Sequence, residues 1–130
     1  MGQIAVDTSF LIDFQREAST ENGPAFRFLS DHADDHFYLS LTVLGEYAAG
    51  FSDLGDVRYR AVREHFGLLE IEEGVALLYR TLFRDLKAKG QLIGTNDLWI
   101  AATSIHHDLP LLTRNHGDFG RVSGLRILAY

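Results

Sequence analysis

"QIAVDTSFLIDFQRE", Gln3 to Glu17, changes its periodicity in the middle. "QIAVD" is a short apolar run ending in an acid, the pattern of a buried strand. "TSFLIDFQRE" then reads as a helix, with Thr8 or Ser9 as its N-cap. The same alternation continues along the chain. "GPAFRFLSDHA" reads as a second helix with Pro24 in its first turn, and "DHFYLSL" as a strand around Phe37 to Leu39. "TVLGEYAAGF" has helical spacing and should end near Gly50, and "SDLGDVRYRAVREHF" continues as helix. A third strand is expected over Leu68 to Ile71, followed by the long amphipathic helix "EGVALLYRTLFRDLKAKG", stopped by Gly90. "LIGTNDLWIAATSIHH" reads as a buried helix and "LPLLT", Leu109 to Thr113, as a fourth strand. "RNHGDFGRVSG" reads as a loop and "LRILAY" as a fifth strand. Short apolar strands alternating with helices predict an α/β fold, a three-layer α/β/α sandwich around a central, mostly parallel five-stranded sheet. Residues 1–130 are expected to form a single domain.

The totals narrow the functional classes. The chain has 130 residues, of which 46% are hydrophobic and 23% charged, ordinary values for a globular protein. With no cysteine there is neither a disulfide framework nor a thiolate site. The start "MGQIAVDTSF" has no basic segment followed by an apolar one, so no signal peptide is expected. No apolar run approaches the ~20 residues that span a bilayer. A cytoplasmic protein with no membrane partner is the expectation. The net charge of −6 argues against attraction of nucleic acid to the whole surface, though a carboxylate site loaded with cations presents positive charge locally. Arg80, Arg84 and Lys87 share one helix face, expected as a solvated surface. The six histidines show no ligand spacing, and Trp99 is expected to pack rather than stack on a base.

In a parallel sheet, ligands bind beyond the carboxyl ends of the strands. Asp7 ends the first strand, where an acid either caps the next helix or serves a site. Glu46 lies inside the "TVLGEYAAG" helix, and Asp118 follows the fourth strand with Asn115 three residues before it. Asp97 starts its helix, where the macrodipole favours negative charge. Its place on the carboxyl edge is not set by local pattern, because the preceding segment is helix. Crowded carboxylates raise one another's pKa and cost stability. Binding Mg²⁺ or Mn²⁺, hard ions that take oxygen ligands, offsets that cost.

The chain resembles the PIN-domain family nearly end to end, and within it the VapC-type toxins of toxin–antitoxin pairs. "VDTSFLID" is similar to the family's opening strand-and-aspartate motif, which implies Asp7 in the metal site with Ser9 near it. "LTVLGEYAAG" resembles the segment bearing the family's glutamate, implying Glu46. "IGTNDLWIAATSIHHDLPLLTRNHGDFGRVSGLRI" is similar to the C-terminal signature, implying Asp97 as the third acid. For the fourth position the chain offers both Asp118 and Asn115, with Asp118 favoured.

The resemblance implies a PIN-like fold and a Mg²⁺-dependent endoribonuclease, with Mn²⁺ able to substitute. Asp7, Glu46, Asp97 and Asp118 would form the metal and catalytic set, and Thr8, Ser9 and Asn115 would support ligands or substrate. It also implies an RNA substrate, a homodimer and a cognate VapB-like antitoxin. The antitoxin's helical segment would lie in an apolar groove that includes Phe14 and push a basic side chain toward the acids. Two alternatives share the fold: an RNA-processing nuclease outside any toxin–antitoxin pair, and an interaction module without activity. An aspartyl phosphatase usually needs a second aspartate two residues after the first, and that position is Ser9.

Overall fold

The computed structural model describes residues 2–130. In chain order the elements are β1 (Gln3–Val6), α1 (Thr8–Ala18), α2 (Pro24–Asp31), β2 (His36–Ser40), α3 (Leu41–Ala48) and α4 (Val57–His65). They continue as β3 (Gly67–Leu69), α5 (Glu73–Ala88), α6 (Thr95–His106), β4 (Leu111–Leu112), α7 (His116–Phe119) and β5 (Ile127–Leu128).

The strands form one sheet in the order β3-β2-β1-β4-β5, and every pairing is parallel. The expected α/β sandwich is therefore the observed fold. The chain steps outward from β1 to β3, then crosses back and continues on the other side of β1. Right-handed crossovers place the helices of these two halves on opposite faces. The order reverses between β1 and β4, and their carboxyl ends open the crevice where such folds carry ligands.

The central strand is buried on both faces through Ile4, Ala5 and Val6. Phe10 and Leu11 of α1, Leu39 of β2, Val43 of α3 and Leu111 and Leu112 of β4 close around it with almost no exposure. Each such side chain contributes roughly 1.5–3 kcal/mol on leaving water. Helix α6 is buried nearly all round, at Leu98, Ile100, Ala101, Ala102, Thr103 and Ser104, which explains its apolar run. Its two buried hydroxyls are satisfied internally: Thr103 donates to the Trp99 carbonyl at 2.8 Å and Ser104 to that of Ile100 at 3.0 Å.

Several boundaries differ from the sequence expectation, each for a local reason. Asp7, not Thr8 or Ser9, is the N-cap of α1: its backbone is extended and its carboxylate accepts the Thr8 amide, so the helix starts one residue earlier. Residues 52–56 form a turn rather than helix, because Asp53 accepts the Gly55 amide and Asp56 caps α4 through the Arg58 amide. β3 ends at Leu69 because its partner β2 ends at Ser40. Within the expected loop after β4, Asn115 caps the short helix α7.

An apolar cavity of about 490 Å³ opens where α1, α2 and α4 meet, lined among others by Phe14, Leu29, Phe37, Tyr47, Val62 and Phe66. Phe10 faces the core, whereas Phe14 is half-buried and stacks on Phe26 with ring centroids 6.2 Å apart. Trp99 stacks on Tyr79 at 4.2 Å, and Arg80, Arg84 and Lys87 are exposed along α5. Among the described residues, no helix is long and apolar enough to cross a membrane.

Candidate active site

Asp7 extends the first strand by one residue, since its amide still donates to the Leu112 carbonyl of β4 at 3.0 Å. This holds its carboxylate at the reversal of strand order. Its Oδ1 accepts the Thr8 amide at 2.8 Å, and its Oδ2 accepts the hydroxyls of Thr113 at 2.8 Å and Ser9 at 3.2 Å. Only 6% of the residue is exposed. Burial pushes its pKa up, the three donors pull it back, and the nearby Glu46 pushes it up further, leaving a net rise. Asp7 thus caps α1 and also faces the crevice.

Glu46 projects from the second turn of α3, and both of its oxygens are engaged. The Thr8 hydroxyl donates to Oε1 at 2.6 Å, and the Asn96 side-chain amide donates to Oε2 at 3.2 Å. Asp118, in the first turn of α7, is braced by Asn115. The Asn115 Oδ1 accepts the Asp118 amide at 3.2 Å, and its Nδ2 faces Asp118 Oδ2 at 3.4 Å.

Asp97 stands in the first turn of α6 but caps nothing: the N-cap is Gly94, which has no side chain to offer. No side-chain hydrogen bond or ion pair among the described residues reaches its carboxyl. Burial raises its pKa from the ordinary 3.8 to about 6, with further upward push from Asp7, Glu46 and Asp118. Asp97 thus feels the charges of three acids that come from other elements of the fold.

Two residues of this arrangement escaped sequence reasoning. Thr113 follows β4 as Asp7 follows β1, and a hydroxyl closing an apolar run was the available signal. Asn96 precedes Asp97 on the first turn of α6, and its only signal was adjacency.

The donor set suits a hard divalent cation: four carboxylates, hydroxyls nearby, and neither sulfur nor imidazole among them. Among the described residues the acidic oxygens do not by themselves close into a cage of three ligands. Beside the acids lies a cleft of about 170 Å³ lined by Thr8, Ile12, Glu46 and Phe51. Gln15, Tyr47 and Arg58 line both this cleft and the larger apolar cavity, so the two are neighbours.

A parallel five-stranded sandwich with a buried aspartate at the reversal of strand order defines a class, and comparison with known proteins names it. Residues 4–125 match the PIN domain. The chain belongs to the PIN-domain family. It is 31% identical over 128 residues to ribonuclease VapC1 of Methanocaldococcus jannaschii, covering 96% of this chain and 86% of that protein. To ribonuclease VapC1 of Rickettsia felis it is 31% identical over 137 residues, covering 98% and 96%. The solved structure of VapBC2 from Rickettsia felis, bound to a DNA fragment from their promoter, matches with a TM-score of 0.83 over 98% of both chains. At 19% identity that likeness is one of fold.

Proposed function

We propose that this chain is a Mg²⁺-dependent endoribonuclease, the toxin of a VapBC-type toxin–antitoxin pair. The observation that carries the reading is Asp97, a carboxyl surrounded by three other acids and compensated by no donor, which a divalent cation would satisfy. The curated relatives named ribonuclease VapC support RNA as the substrate.

Asp7 and Asp97 would hold the ion, and Asp118 would complete the set. Asn115 spends its side-chain amide on the α7 cap and on Asp118, which supports Asp118 in the fourth position. Glu46, fixed by Thr8 and Asn96, would orient the attacking water. Ser9 keeps the Asp7 carboxylate turned toward the crevice. When bound, Mg²⁺ or Mn²⁺ supplies an acidified water and neutralises charge on the phosphoryl oxygens.

The antitoxin would place an apolar helical segment in the cavity beside Phe14 and reach toward the acids by way of the neighbouring cleft that Glu46 lines. Homodimers of the toxin would form the core of that complex.

The test is cleavage of total RNA by purified protein with Mg²⁺, with EDTA, and with a simple phosphate monoester as the competing substrate. RNA cleavage should require Mg²⁺ and fall by a hundredfold or more, roughly, in Asp97→Asn. Circular dichroism should show that variant folded. Undiminished cleavage by Asp97→Asn would refute the reading.

A further inference from the structure

Helix α1 carries a second buried acid that the proposed metal site does not use. Asp13 lies six residues beyond Asp7, about 9 Å along the helix by its rise, and is 3% exposed. Its Oδ1 accepts a bond from Arg16 of the same helix. Its Oδ2 accepts the Tyr130 hydroxyl at 2.7 Å and forms an ion pair with Arg114, whose Nε lies 2.9 Å away. A carboxylate this deeply buried needs compensation, and Arg16 alone supplies a full opposite charge. Arg114 is therefore in excess, and the cluster of two arginines and one aspartate carries a net positive charge beside the acidic crevice.

The placement of Arg114 is equally specific. It follows Thr113, whose hydroxyl is bonded to Asp7, and it precedes Asn115, whose amide donates to the Thr113 hydroxyl at 3.0 Å. Its backbone is thus tied to the carboxyl edge on both sides. The guanidinium is held against Asp13 by the ion pair at Nε, no hydrogen bond among the described residues uses its Nη atoms, and the side chain remains 56% exposed. An arginine held in this way presents its outer N–H groups in a rigid fork suited to phosphate oxygens. The other arginines near the acids differ: Arg58 is paired with Asp56 at 2.8 Å, and Arg121 faces Asp118 at 3.9 Å. Each of these meets one carboxylate, without surplus charge.

We propose that Arg114, positioned by Asp13 and Tyr130, binds an RNA backbone phosphate flanking the one that is cleaved. The separation of about 9 Å along α1 between Asp7 and the Asp13 cluster favours a flanking phosphate over the cleaved one. A chain of net charge −6 with an acidic crevice needs a fixed positive group at its rim to hold a polyanion. The substrate class rests on the ribonuclease reading above.

The experiment measures steady-state cleavage together with binding of a short, mixed-sequence, single-stranded RNA in an Asp97→Asn background over a salt series. Arg114→Gln should raise KM and weaken binding about tenfold, leave kcat within about threefold, and lower the slope of log affinity against log salt by about one. Arg114→Lys should restore the salt slope and only part of the affinity, since it keeps the charge and loses the fork. Asp13→Ala should raise KM with kcat retained, because the arginine is present but no longer held. If Arg114→Gln lowers the melting temperature while KM and salt slope stay at wild-type values, the pair is structural and the proposal is overturned. A loss confined to kcat overturns it as well. Wild-type protein that binds RNA with an Arg114-dependent slope but cleaves none would sink the ribonuclease reading and, with it, the place beside a cleaved phosphate, leaving Arg114 only as an RNA phosphate contact. Protein that neither binds nor cleaves RNA overturns both.

Discussion

Asp7 and Asp13 are two buried carboxylates on one helix, and their surroundings differ in kind. Asp13 meets two guanidinium groups and a phenol, so its charge is matched where it stands. Asp7 meets an amide and two hydroxyls, and the full charges nearest to it are other acids. Neutral donors hold a carboxylate in place without cancelling its charge. Asp13 therefore belongs to the stability of the folded chain, whereas Asp7 and its neighbours keep a deficit of positive charge that a bound ion can fill. Ser9 joins the two regions, because its hydroxyl donates to Asp7 and also lies beside the Tyr130 hydroxyl. Burial and the adjacent Asp13 push the Tyr130 phenol upward, so it remains a donor at any physiological pH.

The contrast can be broken most forcefully at Asp13. Replacing it with alanine leaves the Tyr130 hydroxyl unpaired and two arginines side by side. The expected loss is about 2 kcal/mol, or a drop of roughly 8 °C in melting temperature. The loss should be the same with Mg²⁺ and with EDTA. Unchanged melting would mean that the cluster contributes nothing to folding.

At Asp97 the sign should reverse. Its folded pKa, about 6, lies above the ordinary 3.8, so the folded chain holds this proton more tightly than the unfolded chain does. The contribution is present below 3.8 and is lost as pH rises through about 6. Metal-free protein should accordingly lose stability over that window. Asp97→Asn should flatten the profile and gain about 1 kcal/mol at neutral pH, a figure kept below the full shift because the group is only half-buried. Mg²⁺ should stabilise the wild type and leave the variant unmoved. Thermal melts across pH, with and without Mg²⁺, would expose a wrong sign directly.

The smallest effect is expected at Asp7 itself. Asparagine caps a helix as well as aspartate does, and the change removes a charge that burial disfavours. Asp7→Asn in EDTA should stay within about 0.5 kcal/mol of wild type, while Asp7→Ala loses about 1 kcal/mol with the cap. Urea denaturation resolves the two, and a large penalty for asparagine would show that the Asp7 charge itself supports the fold.

Much of the architecture was legible along the chain, because it rests on local periodicity. The buried strand "IAV", the helical spacing of Val43, Leu44 and Tyr47, and the all-round apolar run of α6 each give their element away over a few residues. Boundaries failed where a side chain competed with the backbone, as at Asp53, Asp56 and Asn115. Those bonds depend on single rotamers rather than on a repeated pattern. Asp7, Glu46 and Asp118 stood out as acids near strand ends or on helices that follow them.

The remainder of the candidate site has no local signature. Asp97 reaches the other acids because α6, coming after another helix, is packed so that its first turn meets α3, which a pattern of residues along one helix does not encode. Thr113 meets Asp7 across 106 positions of sequence, and Asn96 meets Glu46 across 50. The buried cluster at Asp13 joins α1, the second residue after β4 and Tyr130. Periodicity reports which face of an element is apolar, and so the order and kind of elements could be read directly. Which polar atoms meet across the crevice depends on the three-dimensional packing of elements distant in sequence, and the charge balance of each carboxylate is set there.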